Sequence, residues 1–469
     1  MKHFPAFLIA AVVALAGCMV GPNYHRPKVE APAEWASPLA GGETNLGVAG
    51  GEWWTAFADP ELNSLIARGS QSNLNVRAAV WRLRESRAAL KHTRGGLGPT
   101  LDTAASFSES RYAANGFPPF PPGIPLEADV YQAGFDAAWE LDIFGGVRRS
   151  VEAAKAGVAA SEFGRRNVLL SVQAEIARNY MEARAYERRL QVALENIKAQ
   201  ESIVSLTSDL YSHGLTSQLD VEQAKSLLAT TQAATPSLES GYKAAAYHLA
   251  VLLGQAPGAL LGELGQSQQA KYPLPIVPVG LPAELLRRRP DVRQAERQLA
   301  AATAQIGVAT ADLFPKFSLT GEVGLQSVSA SDWFTAGSRY WSAGPTAQWR
   351  LFDTGRIRAN IRVQNARQEQ ALAAYEQTAL GAFEDAENAL TGYANEQLRR
   401  QSLQRAEESD KAALDLAQRL YGNGLADFLR VLESQRALYL TQDAVIESDR
   451  AVSFNLIALY KALGGSWEP

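Results

Sequence analysis

Few residues in this chain could act as nucleophiles or metal ligands. Its 469 residues include one Cys and five scattered His, and the formal net charge is −4. A single Cys excludes an intramolecular disulfide and a Cys-rich zinc site, and the charge balance is not that of a nucleic-acid-binding protein. The sequence contains no GxSxG, HExxH or GxxxxGK[ST] motif. We therefore expect no enzymatic activity and no metal or other cofactor.

The one Cys lies in a context that predicts covalent lipid attachment. Lys2 precedes a short apolar stretch, and Leu15-Ala16-Gly17-Cys18 looks like a bacterial lipobox. By that likeness, residues 1–17 are a signal peptide, and Cys18 receives a diacylglycerol and an N-acyl chain. Met19, rather than Asp, after the Cys favours the outer membrane. The alternative is an ordinary signal peptide with an incidental Cys.

The rest of the chain contains a duplicated unit. The motif Leu210-Tyr211-x-x-Gly214-Leu215 recurs as Leu420-Tyr421-x-x-Gly424-Leu425, 210 residues later. In the first part of each unit, equivalent residues lie 216 positions apart, as Pro99 and Pro315 do. Because Gly and Pro positions recur together with the apolar ones, chance similarity between Ala-rich helices explains the match poorly. The predicted domains are a tether at 18–60, repeats at 61–253 and 283–464, a linker at 254–282 and a tail at 465–469.

Each repeat is predicted to contain one very long helix and one return helix. Segments 146–212 and 356–422 lack Pro and are rich in helix formers, so each could be one helix of 67 residues, about 100 Å long. Return helices are predicted at about 216–253 and 426–463, after Gly-containing turns. A seven-residue apolar spacing in the first long helix indicates coiled-coil packing. Arg400 and Glu407 interrupt the equivalent positions of the second, so we expect the two halves to pack differently.

Two segments change to a period of two, which is typical of β-strands. Hairpins are predicted at about 100–141 and 316–350, with apolar residues such as Phe135 and Leu319 alternating with polar ones. Such strands suit a membrane barrel, although a hairpin of a soluble sandwich is the alternative. Four strands cannot close a membrane barrel, and open edges are not tolerated in lipid. If the strands enter the membrane, several copies must share one barrel, and three copies supply twelve strands.

These features, together with specific motifs, resemble the TolC family of outer-membrane efflux channels. The match is to its lipoprotein branch of OprM- and NodT-like outer membrane factors. The motifs include Asp59-Pro60-Glu61-Leu62, Arg289-Pro290-Asp291-Val292 and Leu351-Phe352-Asp353-x-Gly355-Arg356. The resemblance implies a mainly α fold with a small β part and a homotrimer with a shared twelve-stranded outer-membrane barrel. It also implies a periplasmic α-helical tunnel, an equatorial belt from 18–60, 254–282 and the tail, a periplasmic adaptor and an inner-membrane pump.

The resemblance places a gate at the periplasmic helix tips. Carried over by position, the gate residues are Tyr421, Leu429, Glu433 and Arg436, with Asp220 and Asp427 as secondary candidates. In the relatives this constriction uses a carboxylate ring, and Glu433 stands where closer relatives carry Asp. Glu433 and Arg436 could instead pair with each other as a surface i,i+3 pair. The turns expected to contact the adaptor contain His213, Gly214, Asn423 and Gly424.

Two other functions remain possible from the sequence alone. A periplasmic coiled-coil scaffold lipoprotein without a pore would use the same long helices, with the hairpins packed on protein. A lipidated hydrolase is the least favoured, because the catalytic motifs are missing. The favoured function is a passive exit duct for small molecules in the outer membrane of a Gram-negative bacterium. The sequence does not define the cargo.

Overall fold

The computed structural model describes residues 19–37, 43–44, 52–116, 123, 125–265, 277–280 and 282–465. Some sequence predictions fall outside these residues. They are the signal peptide with its lipid site at Cys18, parts of the predicted tether and linker, and the end of the tail at 466–469.

Helices make up most of the described chain. They are α1 (Pro60–Ser72), α2 (Leu74–Gly95), α3 (Gly146–Ser212), α4 (Gln218–Leu252), α5 (Leu261–Leu264), α6 (Pro282–Arg288), α7 (Pro290–Ala311), α8 (Arg356–Gly422) and α9 (Phe428–Ala462). A one-turn 3-10 helix at Trp53–Phe57 precedes α1. The side chain of Asp59 caps α1 by accepting hydrogen bonds from the backbone N–H groups of Glu61 and Leu62. None of the described helices is long and apolar enough to cross a bilayer.

The predicted long helices are confirmed. Helices α3 and α8 each contain 67 residues and have the predicted bounds. The return helices α4 and α9 contain 35 residues each. The Gly-containing turns therefore located the C-terminal end of each long helix.

The strands form a four-stranded antiparallel sheet. Its members are β2 (Thr100–Arg111), β3 (Glu127–Glu140), β5 (Lys316–Ser327) and β6 (Arg339–Gln348), in the order β2-β3-β5-β6. A separate parallel pair joins β1 (Glu43–Thr44) and β4 (Val277–Pro278). Both predicted hairpins are present, and pairing of β3 with β5 joins them into one sheet.

One face of this sheet is apolar and exposed. Its large apolar side chains all have odd residue numbers and are exposed: Leu101, Phe107, Phe135, Trp139, Leu319, Val323 and Trp341. The pairing keeps odd residues opposite odd residues, as with Phe135 opposite Val323 and Val323 opposite Trp341. Because side chains alternate between faces, these residues share one face and the even-numbered residues share the other.

The chain divides into two compact units. The first unit contains the described residues through Pro27, Leu83–Ser161 and Gln294–Tyr375, and it includes the sheet. Within it, the guanidinium of Arg149 is 1% exposed and donates to the carbonyl oxygens of Val20 and Gly21 and to the side-chain oxygen of Asn23. Burial without these partners would be costly, so Arg149 fixes the segment that starts at Met19.

The second unit contains both helix tips, and its described residues lie within Lys28–Arg82, Glu162–Arg293 and Glu376–Pro469. Within it, the apolar spacing of α3 faces inward at Ile176 and Ala183, which are buried. In α8, Ala386 occupies an equivalent position and is also buried. Arg400 occupies a later position of the same seven-residue series, and its guanidinium forms an ion pair with Asp449 of α9 at 2.5 Å. The two long helices therefore pack differently, as expected: α3 has apolar side chains at its inward positions, whereas α8 has an ion pair at one of them.

Candidate gate and tip turns

The two tip turns have the same geometry. At the end of α3, the N–H of Gly214 donates to the carbonyl oxygen of Tyr211, and the N–H of Leu215 donates to that of Leu210, each at 2.9 Å. The equivalent bonds at Gly424 and Leu425 are also 2.9 Å. This pair of bonds is a Schellman motif, which needs a left-handed residue at the glycine. The φ angles of Gly214 and Gly424 are 71° and 70°.

The side chain of the residue before each tip glycine contacts a backbone carbonyl oxygen in the last turn of the preceding long helix. Nδ1 of His213 lies 2.8 Å from the carbonyl oxygen of Asp209, and the side-chain amide of Asn423 donates to the carbonyl oxygen of Arg419 at 2.7 Å. The next residues point outward, since Leu215 is 73% exposed and Leu425 is 75% exposed. Each turn therefore presents an exposed Leu directly after its left-handed glycine.

The two secondary gate candidates cap return helices. Asp220 accepts a hydrogen bond from the hydroxyl of Thr216 at 2.5 Å and completes a capping box with Ser217. The Thr216 hydroxyl, with further hydrogen bonds from Ser217, holds the pKa of Asp220 below its ordinary value. Asp427 is the N-cap of α9 and accepts from the backbone N–H of Arg430 at 3.3 Å. Helix capping is therefore a sufficient local reason for an acidic residue at each of these two positions.

Tyr421 is held in a small apolar cluster at the second tip. Its ring lies 5.4 Å from that of Phe428, measured between ring centroids. The buried members of the cluster are Ala224, Ala417, Phe428, Val431 and Leu432. Ile203 and Val204 of α3 pack against the same cluster. Tyr421 therefore connects the end of α8 to the start of α9.

The other three gate candidates share one exposed face of α9. Leu429, Glu433 and Arg436 are spaced i, i+4 and i+7, which places them on one side of a helix, and all three are exposed. Glu433 is paired with Arg430 at 3.5 Å, rather than with Arg436. Both partners are more than half exposed, so the pair adds little stability. Within this chain, the exposed face leaves the Glu433 carboxylate accessible to solvent or to another subunit.

Sequence reasoning missed an ionic network that joins α3 to α9. Arg189 bonds Asp443 at 2.7 Å and also pairs with Glu447, while Arg188 reaches Asp449 at 2.9 Å. Burial disfavours the charged form of Arg189, but Asp443 and Glu447 outweigh it and raise its pKa. The only sequence signal was Arg400 at an inward position of α8, because Arg400 shares Asp449 with Arg188.

Comparison with known proteins agrees with this architecture of paired long helices and a small sheet. The sequence model of the outer membrane efflux protein family matches residues 65–255 and 281–465. Nodulation protein T of Rhizobium leguminosarum bv. trifolii is 31% identical over 466 residues, covering 97% of this chain and 96% of that protein. The pyoverdine export outer membrane protein OpmQ of Pseudomonas aeruginosa is 32% identical over 465 residues, covering 98% of this chain and 96% of OpmQ. The solved structure of the outer-membrane channel OprN has a TM-score of 0.89 and 36% identity, covering 96% of this chain and all of that chain.

Two long helices with antiparallel return helices and a small sheet with one apolar face are the architecture of this group of outer-membrane channels. The chain belongs to the outer membrane efflux protein family. It is an outer-membrane channel of a tripartite efflux system in a Gram-negative bacterium, as the sequence predicted. The comparisons favour this function over a scaffold lipoprotein without a pore. Its family consists of transport channels.

Proposed function

We propose that three copies of this chain close one twelve-stranded barrel and act as a passive exit duct for small molecules. The observation that carries the proposal is the sheet with two unpaired edges. In the described part of the chain, β2 pairs only with β3 and β6 only with β5. Edges left open in lipid would leave backbone groups without hydrogen bonds. Pairing β6 of one copy with β2 of the next satisfies both edges.

The dimensions of the exposed apolar face support this proposal. Tyr131 and Trp139 stand on that face of β3, eight residues apart, about 27 Å along the strand, which is about 20 Å of height at a barrel tilt of about 40°. The apolar band of a membrane barrel is about 25 Å tall and has aromatic residues at both borders. Trp139 and Trp349 donate their indole N–H groups to the carbonyl oxygens of Leu97 and Leu313, each at 3.0 Å. This polar anchoring suits a tryptophan at a membrane–water border.

The trimer is tested by running purified protein unheated and heated on a denaturing gel, with the mass of the detergent complex measured in parallel. We expect an unheated species with the mass of three chains that separates into single chains on heating. A single-chain mass in mild detergent, together with no conductance in lipid bilayers, would support the scaffold alternative.

We further propose that the tip turns contact a periplasmic adaptor, which connects the duct to an inner-membrane pump. Exposed Leu215 and Leu425 on rigid turns support this placement. The relatives carry different named roles, nodulation and pyoverdine export. A shared exit duct leaves the choice of cargo to the pump, so we propose no particular cargo.

The tip turns give a testable prediction about shape. Replacing Gly214 and Gly424 together by Ala should weaken adaptor binding and reduce export. An added Cβ meets no atom within 4 Å at either site, so the cost comes from the left-handed backbone and is about 1–2 kcal/mol per site. Adaptor binding in pull-down assays and drug susceptibility of the host measure the effect.

Gly422→Ala is the matched control for this test. Gly422 lies at the end of α8, also has open space around its Cβ position, and lacks a positive φ. It should bind adaptor and export normally. Normal export by the double variant would show that the turns do not depend on their left-handed glycines.

Covalent lipid on Cys18 is the other proposed feature, and the structure supports it by placing the next residue. Met19 lies against Gly145, and the backbone N–H of Val20 donates to the carbonyl oxygen of Phe144 at 3.1 Å. This segment is thus fixed next to the end of β3, where a membrane border is proposed. Acyl chains at this position would reach the bilayer.

Cys18→Ser should abolish incorporation of labelled fatty acid but leave the trimer folded. The barrel holds the protein in the membrane by itself, so we expect reduced sorting efficiency and unchanged heat-modifiable mobility. Lipid labelling of wild type and variant, followed by membrane fractionation, measures both effects. Absence of label on the wild-type protein would contradict the lipid assignment.

A further inference from the structure

The interface between α3 and α9 weakens towards the tip. At its strong end, Arg189 of α3 binds Asp443 at 2.7 Å and pairs with Glu447 of α9. About two turns further along α3, the side chain of Asn196 makes a single hydrogen bond to that of Gln442 at 3.3 Å. Charge-assisted pairs are replaced by one neutral bond, so the helices are held less firmly as they approach the tip.

Two glutamines follow on the same helix faces. Gln200 lies four residues after Asn196, and Gln435 lies seven residues before Gln442, so each shares a face with a residue that joins the helices. Gln200 and Gln435 are each 2% exposed. The side-chain oxygen of each has no hydrogen-bond partner among the described residues. We name these two side chains the amide layer.

An apolar contact lies on the tip side of the amide layer. There Ile203 and Val204 of α3 pack against the cluster that contains Val431 and Leu432 of α9. The amide layer therefore separates a firmly paired stretch of the two helices from a small apolar contact at the tip. A buried amide oxygen without a partner destabilises the packed arrangement, because the same oxygen would bind water if the helices separated.

We propose that α9 separates from α3 at the amide layer when the channel opens, while the Arg189 pairs hold the helices together beyond it. Gln200 and Gln435 thereby lower the free-energy difference between the closed and open tip. They are positioning residues that act on the gate through the helix that carries Glu433. The inference rests on the proposed gate at the tip of α9.

Replacing the amides by methionine tests this inference in the intact trimer. Gln200→Met and Gln435→Met keep the length of the side chain and remove the unpaired oxygen, so the closed tip should become more stable. We expect each variant to open about tenfold less often in planar bilayers. Amide hydrogen exchange over residues 428–441 should slow by a similar factor, with exchange over 443–462 unchanged.

Thr207→Val is the matched control, because Thr207 is also buried on α3 but its hydroxyl donates to the carbonyl oxygen of Ile203 in its own helix at 2.7 Å. It should leave opening frequency unchanged. Gln200→Leu and Gln435→Leu repeat the test with a branched side chain if a methionine variant does not assemble. Unchanged or more frequent opening in assembled variants of both kinds would overturn the inference.

The same experiment separates this inference from the assignment of the gate residue. Glu433→Ala acts on conductance, whereas the amide variants act on opening frequency and on exchange. Slower opening of the amide variants beside an unchanged conductance of Glu433→Ala would support the amide layer and reject the gate residue. The opposite pattern would keep the gate residue and reject the amide layer.

Discussion

Glu433→Ala is expected to raise the resting conductance of the channel several-fold in planar lipid bilayers. The carboxylate lies on an exposed face of α9 with Leu429 and Arg436, and its local partner Arg430 is also exposed. In the proposed trimer, three-fold symmetry brings three such carboxylates around one axis. Crowded carboxylates attract cations and narrow the passage, so their removal should widen it.

Two further variants separate a gate from a general effect of charge. Glu222→Ala removes an exposed acid from α4, where Glu222 pairs with Lys225 at 2.9 Å, and should leave conductance unchanged. Arg430→Ala breaks the local pair of Glu433 but keeps the carboxylate, so the resting channel should stay narrow. A Glu433→Ala channel that conducts like the wild type would show that this carboxylate lies away from the passage.

Only the second repeat has a carboxylate at the position of Glu433. At the offset of 210 residues, Leu429 corresponds to Leu219, but Glu433 and Arg436 correspond to Gln223 and Ser226. A trimer therefore contains a ring of three carboxylates at this position instead of six. The two tips share their Schellman turns and their exposed leucines, whereas the charged face belongs to the second tip alone. This asymmetry supports common docking at both tips and gating at one.

The sequence predicted the long elements well because their limits are set locally. Pro is missing throughout α3 and α8, Gly145 and Gly355 immediately precede them, and a glycine follows the end of each; all four glycines have a positive φ. The strands were visible from alternation of apolar and polar residues. Joining the two hairpins into one sheet required pairing of β3 with β5, which the alternation does not specify.

The charged contacts between helices could not be predicted in this way. Asp443 and Arg189 are more than 250 residues apart, and no periodicity indicates which charges will meet. Arg400 interrupts an apolar spacing, and the sequence did not show that Asp449 would compensate it. The resemblance places Asp220 near the gate, and the sequence did not show that its bond with Thr216 is part of a helix cap.

Neutralising three carboxylates on the sheet is expected to lower the preference of the channel for cations several-fold. Asp102 stands directly opposite Asp136, and Asp136 stands directly opposite Glu322. Like charges at directly opposite positions destabilise a sheet by about 0.2–1 kcal/mol per pair. These residues have even numbers, so they share the face away from the exposed apolar residues. In the proposed barrel that face lines the lumen, where three copies would place nine carboxylates at one level.

The measurement is the reversal potential of the trimer under a salt gradient, for the variant with Asp102→Asn, Asp136→Asn and Glu322→Gln together. Rings of carboxylates favour cations in a pore, so the reversal potential should move towards zero. Glu109→Gln with Asp129→Asn is the matched control, because these two acids also stand opposite each other but have odd numbers and lie on the other face. The control should keep the wild-type selectivity. An equal shift in both variants would mean that total charge, not the lumen-facing row, sets the selectivity, and no shift in the triple variant would place the row outside the conducting path.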